Sequence, residues 1–183
     1  MSLYNDIKKG IPQTIEVPKE LEAVVNWYEN SDELMGGLFE FYADEDLIMV
    51  ENWFGKNTHK DRFGSFGIMP DGSPIAFWLN NEGEQKVVML GSEGDGQMIL
   101  ANNFIDFIRL MSIGYDEFMY IDFNQTIEEH NKENEQEENY GVNKEFQNWF
   151  QNKFEIRIPL KGNEIVNEDN DIFANWVNEQ LEG

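Results

Sequence analysis

"FGSFGIMPDGSPIAFWLNNEGEQKVVML", residues 63–90, sets three apolar runs between two clusters of turn formers. Runs of this length, rich in Phe, Ile, Trp and Val and bounded by Gly, Pro, Asn and Asp, are strands joined by tight turns. The spacing predicts strands at 63–69, 74–80 and 86–90, adjacent and antiparallel, with PDGSP and NNEGEQ as the turns. Side chains alternate across a strand. Ile75, Phe77 and Leu79 therefore face one way, and Ala76 and Trp78 the other. Apolar groups on both faces imply a sheet covered on one side and at least partly on the other.

Working outward, further strands are expected around 38–42 and 46–51, with Trp53 and Phe54 in the polar loop that follows. Downstream, Phe104, Phe107, Ile108 and Met111 recur at helical spacing, so a helix is expected over about 102–112. Upstream, Pro18 suits a first helical position, and Leu21, Val24, Val25 and Tyr28 form one apolar stripe. Residues 128–139, EEHNKENEQEEN, are nearly all polar and read as a solvated helix or a mobile linker. Asn143 then caps a helix carrying Phe146, Trp149 and Phe150. A strand is expected at 154–160, and a last helix from about 170 carries Phe173, Trp176, Val177 and Leu181. One-sidedly apolar helices of this kind should dock on the main body.

The chain has 183 residues, enough for one domain with a real core. Its 36 acids and 13 bases give a formal net charge of −23, and the acids are spread along the whole length. Such a charge repels nucleic acid, whose binding depends on Lys and Arg neutralising phosphates. It favours a basic partner, and it also serves solubility. There is no cysteine, so disulfide and thiolate chemistry are excluded. No run is long enough to span a bilayer and no secretory pattern opens the sequence, so the expected compartment is the cytoplasm.

The glycine-rich GSEGDG, residues 91–96, lacks the Lys and Ser/Thr of a phosphate loop, and Glu93 and Asp95 would repel a phosphate. Two acids are too few for calcium, so a turn with glycines at positive φ is expected. His59 and His130 sit in polar stretches with no HxxxH or HxE pattern, and no zinc site is expected. No serine lies in a GxSxG elbow. No catalytic residue, metal or cofactor is therefore expected. The remaining signal is aromatic. Trp78 is either packed under a helix or an exposed anchor ringed by acids, the makeup of an interface hot spot.

The run from Leu34 to Met111 resembles the SUKH superfamily, which includes fungal glucan-synthesis regulators and many small bacterial proteins. The likeness is carried by Gly36 and Gly37, by Phe66 and Gly72 around the first hairpin, by Val87 and Val88, and by Ala101, Phe104, Phe107 and Ile108 in the pattern A-x-x-F-x-x-F-[IL]. The resemblance implies an α+β fold with a central antiparallel or mixed sheet and helices packed around it. It places a SUKH-like core at 1–125. Residues 126–183 then form an extension, an acidic linker at 127–141 plus two helices, packed on the core and not an independent domain. For bacterial members the resemblance also implies a role as immunity proteins that bind and silence a toxin, often a nuclease.

The leading expectation is thus a non-enzymatic protein that occludes a basic toxin domain. The alternative is an intracellular regulator or scaffold of the glucan-synthesis type. Candidate partner contacts, chosen as acids near aromatics in loops, are Glu51, Trp53, Asp61, Asp71, Trp78, Glu82, Glu84, Glu93 and Asp95.

Overall fold

Asp71 builds the first hairpin: its carboxylate accepts hydrogen bonds from the Ser73 N–H (2.9 Å) and hydroxyl (2.7 Å), while Gly72 adopts φ +89°. Asn80 builds the second, its side-chain oxygen accepting from the N–H groups of Glu82 and Glu84. Between these turns run β2 (Phe63–Ile68), β3 (Pro74–Leu79) and β4 (Gln85–Met89), flanked by the short β1 (Glu40–Phe41) and by β5 (Met98–Ala101). All neighbours are antiparallel, in the order β1-β2-β3-β4-β5, and Ala76 stands opposite Ser65 and Val88. The computed structural model describes residues 2–55, 58–167 and 170–182.

Around the sheet lie seven helices among the described residues: α1 (Leu3–Gly10), α2 (Leu21–Glu29), α3 (Ile48–Phe54), α4 (Phe104–Met111), α5 (Ile127–Glu133), α6 (Lys144–Phe154) and α7 (Ile172–Glu182). The fold is α+β, a five-stranded meander between two helical layers. On one face Phe66, Ile75, Phe77, Val87 and Met89 join a large core with α1, α2, α4 and α6. On the other, Phe63, Ala76, Trp78 and Val88 meet Val50 of α3 and Phe173, Trp176 and Val177 of α7. Each Val, Ile, Phe or Met among them contributes about 1.5–3 kcal/mol when fully buried.

Several expectations are corrected. Residues 46–51 are not a strand. Both Asp44 carboxylate oxygens accept from the first free N–H groups of α3, those of Ile48 (2.9 Å) and Met49 (3.0 Å), and the chain turns helical there. Trp53 and Phe54 are accordingly half-buried on α3, not in a loop. Residues 155–160 form no strand and lie outside the sheet; Glu155, at φ +56°, closes α6. α2 begins at Leu21, with Pro18 in the turn that leads into it. Leu181 is 51% exposed, and Trp149 is half-buried against Trp27 and Phe146. α1 went unread in the sequence, although Ser2 caps it and Gly10 closes it.

The acidic stretch is neither solvated throughout nor a linker. Thr126 and Glu129 form a reciprocal capping box: the Thr126 hydroxyl accepts from the Glu129 N–H (3.3 Å), and the Glu129 carboxylate accepts from the Thr126 N–H (2.8 Å). The helix so started buries Ile127, His130 and Asn131. Thr126→Ala should cost about 1 kcal/mol, lowering the thermal midpoint by roughly 2–4 °C in calorimetry.

Candidate binding surface

A meander sends its alternate turns to opposite ends of the sheet, and this divides the acids singled out in the sequence. Asp61, before β2, and Glu82 and Glu84, in the β3–β4 turn, lie at one end. Glu84 is paired there with Lys86 at 3.2 Å. At the other end lie Asp71, in the β2–β3 turn, and Glu93 and Asp95, in the β4–β5 turn. A hydrogen bond from the Ser92 N–H to the Ser73 hydroxyl (3.1 Å) ties these two turns together. Glu51 belongs to neither group; it sits on α3, paired with Lys60 at 2.6 Å. Trp53 is half-buried beside Phe54.

Trp78 is 1% exposed, with its ring centroid 4.8 Å from Phe173 and 5.4 Å from Trp176. Of its two readings, packing under a helix is the one found, and Trp78 offers a partner no surface. GSEGDG is a turn, with Gly94 and Gly96 at φ +87° and +67°. A Cβ on Gly91 would collide with the Asp95 carbonyl, so that glycine closes the loop on itself.

The end holding Asp71, Glu93 and Asp95 also gathers residues that no motif marks in the sequence. The segment after α4 returns beside the two turns, and Met119 packs where a Cβ of Gly96 would stand. A cavity of about 210 Å³ is lined by Leu38, Met69, Pro70, Asp71, Met89, Asp116, Glu117 and Phe118. An adjoining groove of about 390 Å³ shares Leu38, Met69 and Pro70 and adds Leu34, Glu40, Ile68 and Gly72. Neither lining contains a Lys or Arg. Two residues beyond Phe118 in the chain, Tyr120 is 86% exposed at φ +71°, a backbone region a bulky residue rarely adopts. Among the described residues, no group of three or more His, Asp or Glu side chains is arranged to hold a metal ion.

Two neighbouring carboxylates differ in environment. Asp116 Oδ1 lies 3.0 Å from Nε2 of the buried His130, and Oδ2 accepts from Gln136 Nε2 at 2.8 Å. Asn134 Nδ2 lies over the same ring, 3.3 Å from Nδ1 and 3.4 Å from Nε2, and donates to the His130 carbonyl at 3.0 Å. His130 therefore belongs to a buried network, not to a polar loop. Burial alone would raise the Asp116 carboxyl, but the bonds from Gln136 and His130 outweigh it and hold it below the usual range. Glu117 makes no hydrogen bond or ion pair among the described residues. Its carboxyl is pushed up by burial, then by the negative charges of Asp116 and Asp71, with His130 acting in the opposite direction.

A raised carboxyl favours the protonated form of the folded protein, so ionised Glu117 works against stability above its ordinary value of about 4.3. Glu117→Gln should therefore raise the melting temperature slightly at pH 7, by less than about 0.5 kcal/mol since the group is largely exposed. The gain should vanish below pH ~4, where both side chains are neutral. Melts of both proteins across pH 3–8 read this directly.

Comparison with protein-family models, with curated proteins and with solved structures finds no match. Among the described residues no helix is long and apolar enough to cross a membrane.

Proposed function

We propose that this chain is a non-enzymatic binding protein that neutralises a basic, nuclease-type bacterial toxin in the cytoplasm by covering its substrate groove. This is the role implied by the resemblance to SUKH immunity proteins. The observation that carries it is the end of the sheet where an apolar groove and cavity are lined by acids and by no base. Such a surface combines the parts of a protein interface, an apolar floor for burial and a polar rim for specificity. A nuclease groove is built to hold phosphates, so an acidic surface can occupy the same place. The net charge of −23 adds long-range attraction to that local fit.

The test is co-expression with the toxin domain encoded beside this gene. The protein should restore growth to cells making the toxin, and the two should co-purify at low salt. Failure to rescue growth and to bind any adjacent basic toxin would overturn the proposal.

A further inference from the structure

We infer that the 210 Å³ cavity between Leu38, Met69, Met89 and Phe118 receives one Lys or Arg side chain of a basic protein partner, with Glu117 as its counter-ion. The inference rests on the binding role proposed above and names the group that the site selects. Lys and Arg are the side chains that join a long apolar stem to a cationic end. The cavity offers the matching order, apolar walls beside three carboxylates, those of Asp71, Asp116 and Glu117. Met69 and Met89 supply thioethers, which adapt their shape to an inserted chain.

The three acids are not equivalent. Asp71 is fixed by Ser73, and Asp116 by His130 and Gln136, so two anions are held in place before any ligand arrives. Preorganised groups lose little freedom on binding. Glu117 is the one left without a partner, facing the other two charges. A cation between them replaces repulsion with attraction. The adjoining groove, which continues from the cavity through Leu38, Met69 and Pro70, fits an apolar neighbour of that cationic residue in the partner's chain. Tyr120, exposed two residues beyond Phe118, offers a ring face to a second cation.

The probe is the blocked peptide acetyl-Leu-Arg-Ala-amide, titrated into the full chain labelled with ¹³C at its methionine methyls, of which there are 8. Met69 and Met89 signals should move and saturate. The same peptide with citrulline, an uncharged isostere of arginine, should leave them still. The double variant Asp71→Asn, Glu117→Gln, whose substitutions are at exposed positions, should weaken binding about tenfold or more. The inference is overturned if those two signals stay fixed, if citrulline moves them equally, or if the variant binds as before. It is also overturned if spermine saturates them more tightly than the peptide, which would make the site one for free polyamines. Capture of a basic toxin with affinity indifferent to the double variant would remove this cavity from the interface while leaving the binding role intact. Saturation by the arginine peptide without any growth rescue would uphold the cavity and remove the toxin.

Discussion

Trp176→Ala is expected to lower the thermal midpoint by roughly 6–20 °C, the largest effect of any single change considered for this chain. Trp176 lies near the C-terminal end of the chain, yet it is 6% exposed and its ring meets five others. Those of His59, Phe54, Trp78, Phe63 and Phe173 have centroids 5.1, 5.6, 5.4, 5.8 and 6.4 Å away. Truncating a buried Trp costs about 3–5 kcal/mol, because the apolar area is lost and the neighbours collapse only partly into the space. Leu181→Ala on the same helix is the control: at 51% exposed it should change stability by no more than about 0.5 kcal/mol. If Trp176→Ala melts within a degree or two of the parent, α7 is not an integral part of the second core.

Association with a basic partner should fall roughly 10- to 100-fold at low salt when Asp71, Glu93 and Glu117 are reversed to Lys. Reversing Asp61, Glu82 and Glu84 at the other end of the sheet should change it by only a few fold. Each set adds six units of charge, taking −23 to −17, so total charge is matched and only location differs. All six side chains are exposed, and because Asp71 also closes the β2–β3 turn, thermal melts of both sets are read alongside association to confirm that each remains folded. The gap between the sets should close as salt shortens the reach of exposed charges to about 8 Å and below. Stopped-flow association with the purified toxin domain measures this. Equal slowing by both sets would mean that bulk acidity steers the encounter and no particular end of the sheet does.

The meander was legible because its strands are short apolar runs and its turns carry Asp-Gly and Asn, residues with a mechanical role in reversing the chain. The helix after β5 was legible for the same kind of reason: Asn103 accepts from the Asp106 N–H at 2.9 Å, and the apolar stripe follows. α3 was misread because Leu47, Ile48, Met49 and Val50 form a short apolar run, which helix and strand share. The decisive signal was Asp44, placed to cap α3 from three residues ahead of Leu47. α5 escaped hydropathy because part of what it buries is polar. His130 and Asn131 enter the interior through hydrogen bonds, which no apolar pattern marks.

The candidate binding surface was half legible. Asp71, Glu93 and Asp95 were chosen as loop acids, and the turn geometry does bring them to one end. Glu117 and Tyr120 were not, because their importance comes from a segment folding back beside turns that lie over twenty residues earlier in the chain. The aromatic signals pointed elsewhere: Trp78 and Trp53 are the conspicuous residues in sequence, and both contribute to the core.

The second face of the sheet has a consequence for synthesis. β2 to β5 can pair as soon as Ala101 is made, since neighbouring strands are neighbours in sequence and hairpins form in microseconds. The helix that roofs Trp78 begins about seventy residues later. At about 5–20 residues per second the ribosome needs several seconds to reach it. Throughout that interval the growing chain carries a formed sheet with one greasy side largely bare. Mutual repulsion among the acids already translated opposes contact between such chains on neighbouring ribosomes. The acidity would then guard the birth of the molecule as well as its encounters.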